Sequence, residues 1–187
     1  MIDHSKSLCR ILDFDDDAMT VCVQPGVVLD QLNAFLQPHG LWFPVDVSTS
    51  AQATLGGMAG NNSCGSRSIA YGNMVHNVLA LDVTLADGSE ARFGTPADMA
   101  DAPPRIRALA DTLAAIGARE RDEIARCVPH VMRRVGGYNI DVFNPQSERP
   151  YTADGSVNLA HLLVGSEGTL AFTRALTLKL APLPAHQ

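Results

Sequence analysis

The sequence predicts an α+β fold, and three observations carry that expectation. β-Branched alternating runs such as Met19 to Gln24 are interleaved with segments of helical apolar spacing such as Val28 to His39. The turn signature Ala86-Asp87-Gly88-Ser89 joins two strand-like runs into a hairpin. Neither GxGxxG after a strand nor GxxxxGK[ST] occurs, so the nicotinamide-type doubly wound and P-loop readings lack their defining residues.

Each element follows from local chemistry. The strand Met19 to Gln24 ends at the turn Pro25-Gly26, and the acidic group Asp13, Asp15, Asp16, Asp17 before it reads as a solvated hairpin turn. Val28, Leu29, Leu32, Phe35 and Leu36 form the apolar stripe of a helix that stops before Gly40. Leu41 to Pro44 is extended. Thr54 is a fitting N-cap for a short helix through the glycines, ending near Asn61 or Asn62. Val75 to Leu85 and Glu90 to Phe93 are the hairpin strands. Pro103-Pro104 opens a helix running to about Gly117, and a second helix spans roughly Arg119 to Val128. Val135 to Asn139 is a turn, Asn158 caps a short helix over 159–164, and Leu170 to Leu180 alternates like a strand.

Composition removes several functions. With 46% hydrophobic and 18% charged residues, the 187-residue chain is a folded globular protein. Its net charge of −6 and its lack of a Lys/Arg cluster argue against nucleic acid as a partner. No apolar run approaches the roughly 18 residues of a membrane span, and the first residues lack the apolar core of a signal peptide. A cytoplasmic location, with possible attachment at the periphery of the inner membrane, is the expectation. The four cysteines have no CxxC spacing, and the six histidines form no HxxxH or HxH pair, so no metal site is expected.

The chemistry concentrates in residues 54–72, TLGGMAGNNSCGSRSIAYG, which hold five glycines, two adjacent asparagines and no acidic residue. Glycine admits another molecule close to the main chain, and short neutral side chains add donors and acceptors. Such a segment is either a ligand-wrapping loop or an ordinary polar surface loop. A second small-residue element, Gly165-Ser166-Glu167-Gly168-Thr169, lies between an apolar run and a strand.

The ordered blocks PGV, LGGMAGNNSCGSRSIAYG, LDVTLADGS, GGYN and LLVGSEGTLAFTRALTLKL resemble the FAD-linked oxidase family. That family carries the PCMH-type flavin domain of vanillyl-alcohol oxidase and of D-lactate and D-2-hydroxyglutarate dehydrogenases. The resemblance implies FAD as cofactor and a small 2-hydroxy acid as substrate of the full-length parent, with an electron acceptor it does not specify. It implies that residues 1–25 are a remnant of a first FAD-binding subdomain, whose pyrophosphate loop is largely absent, and that residues 26–187 are the second, mainly an antiparallel sheet with flanking helices. The substrate domain is likewise expected to be absent. The chain then reads as a fragment, inactive alone, with bare apolar surface that favours a homodimer. The competing expectation is a non-catalytic module that binds FAD weakly or not at all.

For Gly56, Gly57, Gly60, Asn61, Asn62, Ser63, Cys64 and Gly65, the resemblance implies main-chain contact with the flavin dinucleotide; the plain alternative is a tight packing turn. Thr49 and Ser50 are candidate hydroxyl donors or members of a simple ST-turn. Glu167 is expected beside the cofactor, or else as a solvated carboxylate. Arg67, the lone cation of the glycine-rich block, reads as structural or surface-exposed rather than substrate-binding. No catalytic base is identifiable.

Overall fold

A computed structural model describes residues 3–144 and 149–184. In chain order it contains β1 (Ile11–Asp15), β2 (Thr20–Val23), α1 (Leu29–Leu36), β3 (Leu41–Trp42), α2 (Leu55–Gly60), α3 (Ser68–Tyr71), β4 (Val78–Thr84), β5 (Glu90–Phe93), α4 (Pro104–Arg119), α5 (Arg121–Cys127), α6 (Ala160–Leu163), β6 (Phe172–Lys179) and β7 (Ala181–Pro182). The α+β expectation is met.

The main sheet has five strands in the order β1-β2-β6-β4-β5, every neighbouring pair antiparallel. β6 is central because its alternation serves it there: Leu176 and Leu178 are fully buried while Lys179 is exposed. β4 pairs with it along most of its length and contributes Val78, Leu81 and Val83 to the same core. The acidic turn falls between β1 and β2, where Asp15 Oδ1 accepts the Ala18 N–H at 2.8 Å. β3 and β7 form a separate two-stranded ribbon.

Against the sheet pack α1, through Leu29, Leu32 and Leu36, and α2, through Leu55, Met58 and Ala59. The α1 boundary differs from the sequence expectation. The α-helix stops at Leu36, and Gln37–His39 continues as a 3-10 turn whose Pro38 has no N–H to donate. Gly40 then takes a left-handed φ of 67°, which glycine reaches without steric penalty. β4 likewise begins later than expected, at Val78, because Met74–Asn77 forms a 3-10 turn. The side chain of the buried Asn62 fixes that turn by accepting the Val75 N–H at 3.0 Å. Among the described residues, no helix is long and apolar enough to cross a membrane.

Candidate functional site

Thr54 starts α2 as the sequence suggests: its backbone is extended and its Oγ1 accepts the Gly57 N–H at 3.3 Å. Because Leu55, Met58 and Ala59 face the core, the glycines of LGGMAG fall on the opposite side. They do different jobs. A Cβ at Gly56 would meet Pro25 Cβ at 2.4 Å, so this glycine lets two segments touch. A Cβ at Gly57 would meet the Thr54 hydroxyl oxygen at 3.1 Å, and one at Gly60 would meet nothing within 4 Å. The Gly60 face is therefore open to another molecule.

The second small-residue element is stitched to this helix. The Gly165 N–H donates to the Ala59 carbonyl at 2.8 Å and the Glu167 N–H to the Gly60 carbonyl at 2.9 Å. Gly165, Glu167 and Gly168 all have positive φ, at 83°, 55° and 73°. For Glu167 this is a conformation L residues rarely adopt. Between α2 and the turn lies a cavity of about 690 Å³, lined by Gly56, Gly57, Gly60, Ser166, Glu167 and Gly168. Asp3, His4 and Ser5 wall it on the N-terminal side, and Phe172 and Thr173 supply part of β6. The His4 ring packs edge-on against Phe172 with centroids 5.1 Å apart, and its buried Nε2 has no hydrogen-bond partner.

The structure thus brings Gly56, Gly57, Gly60 and Glu167 of the candidate set together. The others lie elsewhere. Asn61 caps α2 and accepts from the Ser63 hydroxyl at 2.6 Å. Asn62 Nδ2 donates to the Arg134 carbonyl at 3.2 Å. Cys64 is a half-buried free thiol. Gly65 is a packing glycine: a Cβ there would sit 1.5 Å from the Asp46 carbonyl oxygen. The Thr49 carbonyl accepts the N–H groups of Gln52 and Ala53, and the Ser50 carbonyl accepts that of Asp30, in a loop off the cavity. Arg67 lies over the Trp42 ring, 4.8 Å from its centroid, a cation–π position at the surface.

Two groups escaped the sequence reading. His4 and Asp3 belong to no motif of the sequence, and nothing in their spacing brings them to Gly56. The other is a polar cluster below the GGYN turn. Arg134 donates to Asn139 Oδ1 at 3.1 Å, Asp141 Oδ1 at 2.5 Å and the Tyr151 hydroxyl at 2.6 Å. The buried Asn139 donates in turn to the carbonyls of His161 and Val164, both at 2.9 Å, just before the Gly165 turn. Burial, and next the Asp141 charge, raise the Tyr151 hydroxyl well above the ordinary phenol range. Burial, helped by the Arg149 guanidinium, brings His76 to about 4. Burial brings His161 to about 4 as well. Both imidazoles are therefore neutral at pH 7. His76, Arg134 and Tyr151 also border a second cavity of about 400 Å³, against α5. Among the described residues, no cluster of His, Cys, Asp or Glu could hold a metal ion.

The open glycine face, the hydroxyls of Thr54, Ser166 and Thr173 and the aromatic edge of Phe172 suit a flat heterocycle bearing sugar hydroxyls. The residues present therefore fit part of a flavin nucleotide, in an architecture of the flavin-binding class. The solved structure of an alkyldihydroxyacetonephosphate synthase shares the fold, with a TM-score of 0.58 at 17% identity, covering 98% of this chain and 23% of that one. A family model described as FAD binding domain matches residues 1–94, and the chain belongs to that family. The fold is the PCMH-type FAD-binding fold that the ordered motifs imply.

Curated relatives cover the whole chain. The D-2-hydroxyglutarate dehydrogenase of Haemophilus influenzae is 35% identical over 100% of this chain. That of Escherichia coli K12 is 32% identical over 98% of it. A probable mitochondrial D-lactate dehydrogenase of Danio rerio is 30% identical over 96%. The chain spans only 18%, 18% and 26% of these proteins' own lengths.

Proposed function

We propose that this chain is the FAD-holding part of a flavin-dependent oxidoreductase that oxidises a D-2-hydroxy acid of the D-lactate or D-2-hydroxyglutarate type. The observation that carries the reading is the cavity of about 690 Å³ between the α2 glycine face and the Glu167 turn, in a chain matched end to end by dehydrogenases of that substrate class. When bound, the flavin supplies the hydride-accepting N5 position. The chain's own residues position and shield: Gly60 and Gly168 leave room for close approach, and Phe172 and Leu163 exclude water from one wall. In this reading residues 1–25 are a remnant of the first subdomain, whose β1 and β2 add to the five-stranded sheet of the second, residues 26–187. The longer protein supplies the diphosphate loop, the substrate-binding groups and the route to the electron acceptor.

A second reading, a non-catalytic folded module that binds FAD weakly or not at all, is favoured by the two carboxylates, Asp3 and Glu167, and the lack of Lys or Arg among the described lining residues of the cavity. Titrating the purified chain with FAD separates them. Binding with a perturbed flavin absorbance supports the first, and turnover of D-2-hydroxyglutarate or D-lactate by the full-length protein completes it. A colourless chain left unchanged by excess FAD overturns it.

A further inference from the structure

We propose that the cavity of about 400 Å³ against α5 is a binding site for a small aliphatic carboxylate, its anionic head set against Arg149 and its tail along an apolar wall. The proposal stands apart from the FAD reading, because this cavity and the one beside α2 share no described lining residue. Its volume lies in the range of small-molecule sites. Ile124 and Ala125 of α5 make the apolar wall together with Val128, and Val131 and Met132 stay about half exposed at its rim. Such a wall favours an alkyl chain over water.

Charge selects the head group. Three guanidiniums, Arg121, Arg134 and Arg149, line the cavity against two carboxylates, Asp122 and Asp141. Asp141 is already engaged in the ion pair with Arg134. Arg149 is half-buried and holds the end of α3. Its Nη1 donates to the Ser68 carbonyl at 2.5 Å, and its Nη2 to those of Ile69 at 2.7 Å and Ala70 at 3.1 Å. Among the described residues no carboxylate pairs with it. A guanidinium drawn out of water beside neutral carbonyls keeps most of its charge uncompensated. That charge is felt along the cavity: after burial, it is the next influence holding His76 at about 4. His76 is therefore neutral and competes for no anion. One monoanion balances the five charged groups. A phosphate dianion would overfill the site beside Asp122 and Asp141, and it has no tail for the apolar wall.

Amide NMR of the purified chain titrated with sodium hexanoate tests the assignment. Saturable shifts are expected at Ile124, Ala125, Val128 and Arg149. Affinity should rise roughly tenfold from butanoate to hexanoate, as two further methylenes meet the apolar wall. Hexanamide keeps the tail without the charge and should bind about tenfold more weakly than hexanoate. Equal binding of hexanamide, inorganic phosphate bound as well as hexanoate, or no saturable shift at all would each overturn the proposal. Arg149→Gln should weaken hexanoate by about tenfold, but it also releases the carbonyls at the end of α3. Ala125→Glu is the second variant. It sets a like charge at an exposed helix position on the cavity wall, so the melting temperature should hold while the hexanoate shifts vanish. Binding that survives either variant rejects the site. Excess FAD should leave bound hexanoate in place, and displacement by FAD sinks the proposal. A chain that ignores FAD yet binds hexanoate loses the functional reading alone.

Discussion

The main-chain N–H of Glu167 donates to the carbonyl of Gly60 at 2.9 Å, joining residues 107 positions apart across the mouth of one cavity. Through this bond the left-handed turn after α6 is registered against the end of α2. The chemistry of both elements depends on that register.

Gly60 and Gly65 should respond oppositely to alanine. Gly60→Ala places a methyl in open cavity and adds helix propensity, so the fold should be unharmed or stabilised by up to about 1 kcal/mol. FAD affinity should nevertheless fall at least tenfold. Gly65→Ala drives Cβ into the Asp46 backbone and should destabilise by about 3 kcal/mol. Thermal melts with parallel FAD titrations check both, and a Gly60→Ala chain binding FAD normally would remove the cavity from the cofactor site.

Stability should fall on acidification from about pH 6.5 to pH 4. His76 and His161 are held near 4 in the folded chain, against 6.5 for an ordinary imidazole. Between those values the unfolded chain binds protons that the folded chain does not. Each ring therefore favours the fold by an amount on the order of 3 kcal/mol above pH 6.5, and that contribution is gone once pH drops through 4. Urea midpoints at pH 7 and pH 5 measure the slope, and His76→Gln should reduce it.

Removing the carboxylate at Asp141 should leave the Arg134 guanidinium poorly compensated. The pair is 2.5 Å apart with side chains only 15% and 13% exposed. Asp141→Ala is expected to cost about 3 kcal/mol, seen as a melting temperature lowered by roughly 6–12 °C. Because Asn139 links the cluster to Val164, hydrogen exchange should quicken in the Gly165 turn as well.

Self-association is expected from large apolar side chains left exposed. Val131, Met132 and Tyr138 are 51%, 53% and 51% exposed, and Ile69 67%. Light scattering should find a dimer or larger species that Val131→Glu with Met132→Glu disperses. A monodisperse monomer of the unmodified chain would remove this expectation.

Much of this architecture is written locally. The apolar spacing of Leu29, Leu32 and Leu36, the Thr54 cap and the Asp87-Gly88 turn each act over a few residues, so their elements are legible in the sequence. The cavity is only half legible, because composition identifies glycine without saying what each glycine faces. Gly60 and Gly65 look alike in the sequence, yet one opens to solvent and the other lies against Asp46. The contributions of His4 and Arg134 depend on contacts with distant segments, such as that of Asn62 with the Arg134 carbonyl 72 residues away. No local pattern encodes these.

The stacking of Arg67 on Trp42 gives the protein a built-in optical reporter. Trp42 is the chain's single tryptophan and is 7% exposed. The cation beside its ring comes from the glycine-rich segment itself. Any rearrangement of that segment on ligand uptake alters the indole's electrostatic surroundings, so emission from one native fluorophore follows the motion without a label.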